Sequence, residues 1–119
     1  MALEIGIGTT RYTKVLATDD PDIRTGASHN YEVQDAEGGF IRCEINFQDG
    51  PVGSEGSTEG VFMEDLLAIV VHRLQGFQSG MFACRDNALA LTKIQEATFW
   101  LKHRTDEREA RGVLNTLKK

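Results

Sequence analysis

The chain has 119 residues, with 18 acidic side chains against 13 Lys and Arg and a formal net charge of −5. That balance argues against duplex DNA or an anionic membrane as the main partner, because both require an extended basic face. It leaves room for a small anionic ligand held by two or three arginines. The length suits one domain or one domain plus a short extension, and so small a core would gain from self-association. No apolar run approaches the roughly 20 residues needed to cross a bilayer. Residues 1–8 carry Glu4 and are too short to read as a targeting segment. Cys43 and Cys84 lie far apart in sequence, so a reducing, cytosolic setting is expected.

In chain order, the first half reads as β-structure with loops. Leu3, Ile5 and Ile7 alternate with smaller or polar residues, and Tyr12, Lys14 and Leu16 form a second short run that ends at the turn-like TDDPD. Residues 19–30 have the composition of a mobile loop. The stretch NYEVQDAEGGFIRCEINFQDG predicts a hairpin: Tyr31 and Val33 share a face, Gly38 and Gly39 make the turn, and Ile41, Cys43, Ile45 and Phe47 follow at period two. Residues 48–60, rich in glycine, read as a connector.

The second half reads as helical. Phe62, Leu66, Ile69, Val70, Leu74 and Phe77 recur at steps of three and four, and Gly80 is expected to stop this helix in a left-handed conformation. A second helix is predicted from about residue 84 to about residue 111, with Ala90, Ile94, Ala97 and Leu101 as its inner stripe and Gly112 as its end. At about 1.5 Å per residue it is too long for the first helix to cover. Its far half must fray or meet another chain. The fold class is therefore α+β: a small N-terminal antiparallel sheet, then a two-helix hairpin that oligomerises. The expected divisions are residues 1–60 (β-rich), 61–113 (helical hairpin for ligand binding and oligomerisation) and 114–119 (tail).

Candidate chemistry is sparse. His29, His72 and His103 fall in unrelated segments with no carboxylate or cysteine at metal-ligand spacing, so no metal site is expected. Cys84 near a helix start could have a lowered pKa, but a small buried residue is the simpler reading. GIGTT at residues 6–10 lacks a following helix, and no nucleophile–base–orienter set is visible. No catalytic residue, cofactor or enzymatic activity is expected. The helix end HRTDEREARG differs, because Arg104 and Arg108 stand at i,i+4, where like charges repel by a few tenths of a kcal/mol. Asp106, Glu107 and Glu109 could neutralise them, and cations suit a helix C-terminus. Two guanidinium forks on one face also fit a pyrophosphate. Asn87 and Arg104 are 17 positions apart, hence roughly 25 Å along one helix, so one chain cannot close both on a small ligand, whereas an antiparallel second copy could. A two-fold dimer would carry two such pockets.

The stretches INFQDGP, DLLAIVVHRL, FQSG, FACRDNALAL and RTDEREARGV resemble the phage Thoeris anti-defence sponge family. Its C-terminal helical hairpin is shared with the phage anti-CBASS cyclic-oligonucleotide sponges. The resemblance covers roughly residues 30–113. It implies a catalytically inert trap in the cytoplasm of an infected bacterial host. Such a trap sequesters glycocyclic ADP-ribose isomers made by TIR-domain enzymes, so that the defence effector is never activated. It also implies a homo-oligomer, as a dimer or a hexamer built from dimers. The family pocket carries over onto Phe77, to stack on a base, Asn87, to hydrogen-bond the ligand, and Arg104 and Arg108, to hold the pyrophosphate. Gly80-Met81 and the VLNT at residues 113–116 depart from the family pattern. Val52-Gly53 lacks the basic residue an additional cyclic-oligonucleotide site would use, which leaves Arg85 as the nearby candidate for it. The alternatives are a sponge for the cyclic di- and trinucleotides of CBASS and a structural or adaptor oligomer without a ligand. A small cyclic-nucleotide hydrolase ranks last.

Overall fold

The computed structural model describes residues 2–114 and 116, and the chain divides into two compact units between Val61 and Phe62. Of the expected tail, only Leu114 and Thr116 belong to the described residues.

The first unit is a four-stranded antiparallel sheet in sequential order: β1 (Leu3–Glu4), β2 (Thr13–Ala17), β3 (Asn30–Asp35) and β4 (Ile41–Asn46). The predicted hairpin is β3–β4. Tyr31 pairs with Ile45 and Val33 with Cys43, and a register shift between Val33 and Gln34 then sets Gln34 against Ile41. Tyr31 meets Phe47 edge-on at 5.7 Å between ring centres. The first run is shorter than its alternation suggests: Gly6 and Gly8 turn to φ of 64° and 101°, which ends the strand and leaves Ile7 exposed.

Two segments expected to be loose are tied down. In the 19–30 loop the Asp19 carboxylate accepts from the backbone N–H groups of His29 and Asn30, both at 3.0 Å, and the Asp22 N–H donates to the Ala27 carbonyl at 2.8 Å. The connector is closed at its neck, where Asp49 and Thr58 exchange two backbone hydrogen bonds of 2.9 Å and Phe47 bridges Val61. Gly60 lies so close to the chain at residues 46–48 that a Cβ there would collide with the Asn46 carbonyl oxygen and the backbone of Phe47 and Gln48.

The second unit is a helical hairpin of α1 (Met63–Gln78) and α2 (Arg85–Ala110). α1 starts with the Phe62 N–H donating to the Asp65 carboxylate at 2.9 Å. Leu66, Leu67, Val71, Leu74 and Phe77 are its half-buried apolar residues, and along α2 Leu91, Ile94, Thr98, Leu101 and Thr105 form the half-buried stripe. Ala90 and Ala97, assigned to the inner stripe, are exposed, as are Ile69 and Val70 of α1. The true stripe on α2 is rotated by about one residue and admits threonines. Thr98 and Thr105 satisfy their hydroxyls on the carbonyls of Ile94 and Leu101 four residues back. At 16 residues against 26, α1 cannot cover the length of α2.

The helix ends differ. α2 closes as expected: Gly112 is left-handed (φ 72°), its N–H bonds the Glu109 carbonyl, and the Val113 N–H bonds the Arg108 carbonyl. Gly80 does not adopt a left-handed φ. α1 instead ends in tight turns, with the Gly80 N–H on the Phe77 carbonyl and the Ala83 N–H on the Gly80 carbonyl, both at 3.2 Å. The Ser79 hydroxyl also donates to the Gly76 carbonyl at 2.8 Å.

Among the described residues no large side chain is fully buried. A Leu or Phe fully removed from water would contribute about 1.5–3 kcal/mol, and here each contributes only part of that.

Candidate functional site: the helical corner and the end of α2

The corner between the helices is organised by side chains of both. The Gln78 side-chain carbonyl accepts the Cys84 N–H at 3.0 Å. The Cys84 sulfur accepts the Asn87 N–H at 3.4 Å, which makes it the N-cap of α2. Both cysteines are exposed free thiols, so Cys84 is not the small buried residue expected. An N-cap needs a side-chain acceptor at the chain surface, and that requirement overrides the usual burial of cysteine.

Phe77, half-buried, meets Phe82 edge-on at 6.2 Å between ring centres. Asn87 donates from Nδ2 to the Phe82 carbonyl at 3.2 Å. Its Oδ1 has no hydrogen-bond partner among the described residues. Phe82 therefore links the two corner residues, touching one with its ring and the other with its backbone. It is 66% exposed, and nothing in the sequence separated it from the other aromatics. Arg73 is a further member: its guanidinium carbon lies 4.9 Å from the centre of the Phe77 ring. The i,i+4 spacing of Arg73 and Phe77 was the signal that could have shown it.

At the other end of α2 the acids do not neutralise the arginines as the composition allowed. Asp106 pairs with Lys102 at 2.9 Å, and Glu107 lies 3.5 Å from His103. Arg104 is exposed and has neither ion pair nor hydrogen bond among the described residues. Arg108 is placed otherwise: only 6% exposed, it donates from Nη2 to the carbonyls of Val113 and Thr116, both at 3.0 Å. It thus holds the chain that leaves the helix. One turn before Arg104, Phe99, Trp100 and His103 form an exposed aromatic ledge, with Phe99 stacked on His103 at 6.4 Å and Trp100 edge-on to Phe99 at 5.5 Å. Arg85 is exposed at the start of α2 and, like Arg104, has no partner among the described residues. The hairpin thus brings Phe77 and Asn87 to one corner and sets Arg104 and Arg108 one turn apart. It leaves the two pairs roughly 25 Å from each other along α2.

The N-terminal unit holds a different polar cluster. His29 Nε2 lies 3.0 Å from the Asp22 carboxylate and 3.5 Å from that of Asp49. Sequence spacing gave no sign of this, because the fold rather than a motif brings the three together. Their ligand atoms all lie within 4.8 Å of one another, and Arg24 reaches both carboxylates, at 2.9 and 3.3 Å. The Arg24 side chain and N–H, with His29, hold the Asp22 carboxyl well below its ordinary value. Partial burial pushes the Asp19 carboxyl up, but the hydrogen bonds from His29 and Asn30 outweigh it and leave it lowered.

Comparison with known proteins decides the family. The profile of the Acb2/Tad1 hairpin domain matches residues 40–106. The chain belongs to the Acb2/Tad1 hairpin-domain family. The resemblance carried by the sequence pointed to this family, and the matched segment spans β4, the connector and nearly all of the helical hairpin. A protein of Bacillus phage SBSphiJ7 described as Thoeris anti-defense 1 is 49% identical over 96 residues, 81% of this chain. The match spans 66% of that relative's length. Among the described residues no helix is long and apolar enough to cross a membrane.

Proposed function

We propose that this chain is a phage anti-defence protein that acts as a sponge. It binds and sequesters cyclic nucleotide immune signals, glycocyclic ADP-ribose isomers made by the TIR-domain enzymes of Thoeris, without cleaving them. It works in the cytoplasm of the infected bacterial host. Family membership and the phage relative described as Thoeris anti-defense 1 support the role. The observation that carries the ligand reading is the pairing of an aromatic and an open amide acceptor at the corner with a guanidinium, at the far end of α2, that has no partner among the described residues. Phe77 stacks on the base, a contact typically worth about 1–3 kcal/mol. Asn87 accepts a hydrogen bond through Oδ1. Arg104 and Arg108 meet the pyrophosphate.

One chain cannot bring these groups together, so the pocket is shared. In an antiparallel dimer the corner of one α2 faces the arginines of the other, which gives two equal sites. The apolar side chains left exposed on the hairpin, among them Phe62, Ile69, Leu89 and Trp100, provide the surface for such a dimer or for a hexamer built from it.

Incubation with glycocyclic ADP-ribose, removal of free ligand, heating and analysis of the supernatant test this directly. Intact released ligand is expected. An altered nucleotide would make the protein a hydrolase, and no depletion of free ligand would make it an adaptor. Mixing Asn87→Ala with Arg104→Ala protein tests the shared pocket: random two-fold exchange should restore about a quarter of the sites. No recovery despite proven exchange would mean that Asn87 and Arg104 do not meet in a pocket shared between chains. A second reading, capture of cyclic di- or trinucleotides, is favoured by one observation, the exposed Arg85 beside the corner, which has no partner among the described residues.

A further inference from the structure

Arg73 stands one turn before Phe77 on α1, with Ile69, Val70, Gly76 and Phe77 at its i±3 and i±4 positions. None of these can neutralise a cation. Other exposed cations of the same unit do take acidic partners at that spacing, as in Lys93–Glu96 and Lys102–Asp106. Arg73 instead lays its guanidinium over the Phe77 ring at 4.9 Å and makes no hydrogen bond or ion pair among the described residues. The ring quadrupole attracts the charge and holds the planar group in place. It does not use the N–H donors, which lie in the guanidinium plane and suit phosphate oxygens. A guanidinium whose donors have no partner among the described residues, layered on a half-buried corner aromatic, is preorganised for an anion carried by whatever stacks on that aromatic.

We propose that Arg73 is a further ligand-contacting residue. It is a phosphate-binding guanidinium, supplied by the same chain as Phe77, for a nucleotide whose base stacks on that ring. The assignment rests on the sponge reading and deepens it. The cation from α1 makes the corner select ligands that join a planar base to a phosphate, before the partner's arginines close on the other side.

Titration calorimetry with glycocyclic ADP-ribose at two salt concentrations tests the assignment, using wild type, Arg73→Gln, Arg73→Lys and Phe77→Ala. Arg73→Gln should lose about tenfold in affinity, as expected for one charge-assisted hydrogen bond, and its remaining binding should respond less to added salt. Arg73→Lys should keep the salt response while losing part of the affinity, and the thermal midpoints of the free proteins should coincide. Unchanged affinity in Arg73→Gln would overturn the assignment. So would a loss with the full salt response retained, which would mean that Arg73 only orients the ring. If wild type takes up no ligand, or Phe77→Ala binds as well as wild type, the stacking reading itself fails and the assignment falls with it.

Discussion

In the N-terminal unit Arg24 is held between Asp22 and Asp49, His29 closes the set, and Asp19 spends its carboxylate on the backbone of residues 29 and 30. In the helical unit Arg73, Arg85 and Arg104 have no acidic partner among the described residues, although the chain carries an excess of acids. Charges of the first kind are satisfied by the fold and act on stability. Charges of the second kind contribute little to one chain's stability and remain available to a ligand or a second copy. Partnering, rather than residue type, thus separates the polar groups that the fold holds from those that have no acidic partner among the described residues.

The largest effect is expected at Gly60. Gly60→Ala forces a methyl group into the backbone of residues 46–48 and should destabilise the N-terminal unit by about 3 kcal/mol, read as a lowered urea midpoint. An effect near zero would mean that the connector is not anchored as described. Next is Arg108, which belongs to the held class by its bonds and to the ligand class by its proposed role. Arg108→Ala removes the donor from two carbonyls and should cost about 1–3 kcal/mol, seen as faster amide exchange in the last turn of α2, together with a loss of ligand affinity. Retained amide protection with lost affinity would move Arg108 into the open class.

A smaller effect is expected from pH. The Asp19 and Asp22 carboxyls are lowered in the folded chain, so the unfolded chain binds the proton more readily. Their stabilisation is fully present above the ordinary carboxylate value of about 3.9 and is lost as pH falls toward the lower folded values. Urea midpoints should therefore decline below about pH 4 in wild type and decline less in Asp22→Asn. An equal decline in both proteins would remove Asp22 from the cluster's energetics. The smallest structural effect is expected at Arg104: Arg104→Ala should change stability by less than about 0.5 kcal/mol, yet weaken ligand binding about ten- to a hundredfold. A stability loss above that level would show a partner for Arg104 and erase the contrast between the two units.

Much of the fold was legible because its elements are periodic. The β3–β4 hairpin, both helices and the glycine that ends α2 follow from alternation, three- and four-residue steps and a left-handed C-terminal position. The rotated stripe of α2 was hidden because alanine reads as apolar and threonine as polar, while back-bonding lets Thr98 and Thr105 occupy the covered side. The corner defeated the reading at Gly80, where consecutive tight turns replace a left-handed cap. At the site, Phe77, Asn87 and Arg104 could be singled out from sequence. Phe82 and the Asp22–His29–Asp49 cluster could not, since both depend on where irregular chain passes in space. Arg73 was readable from its spacing to Phe77 but carried no signal of its own until the ring contact was seen.

The chain contains a single tryptophan, and it stands on the exposed ledge of α2 beside Phe99 and His103. Its indole, 58% exposed, should emit at the long wavelengths of a water-facing fluorophore. Covering that ledge with another molecule would shift the emission to shorter wavelengths, and the second unit would carry its own optical gauge of assembly without any label. Dilution from micromolar to nanomolar concentration, followed only by the colour of that one ring, would then trace the point at which the copies part.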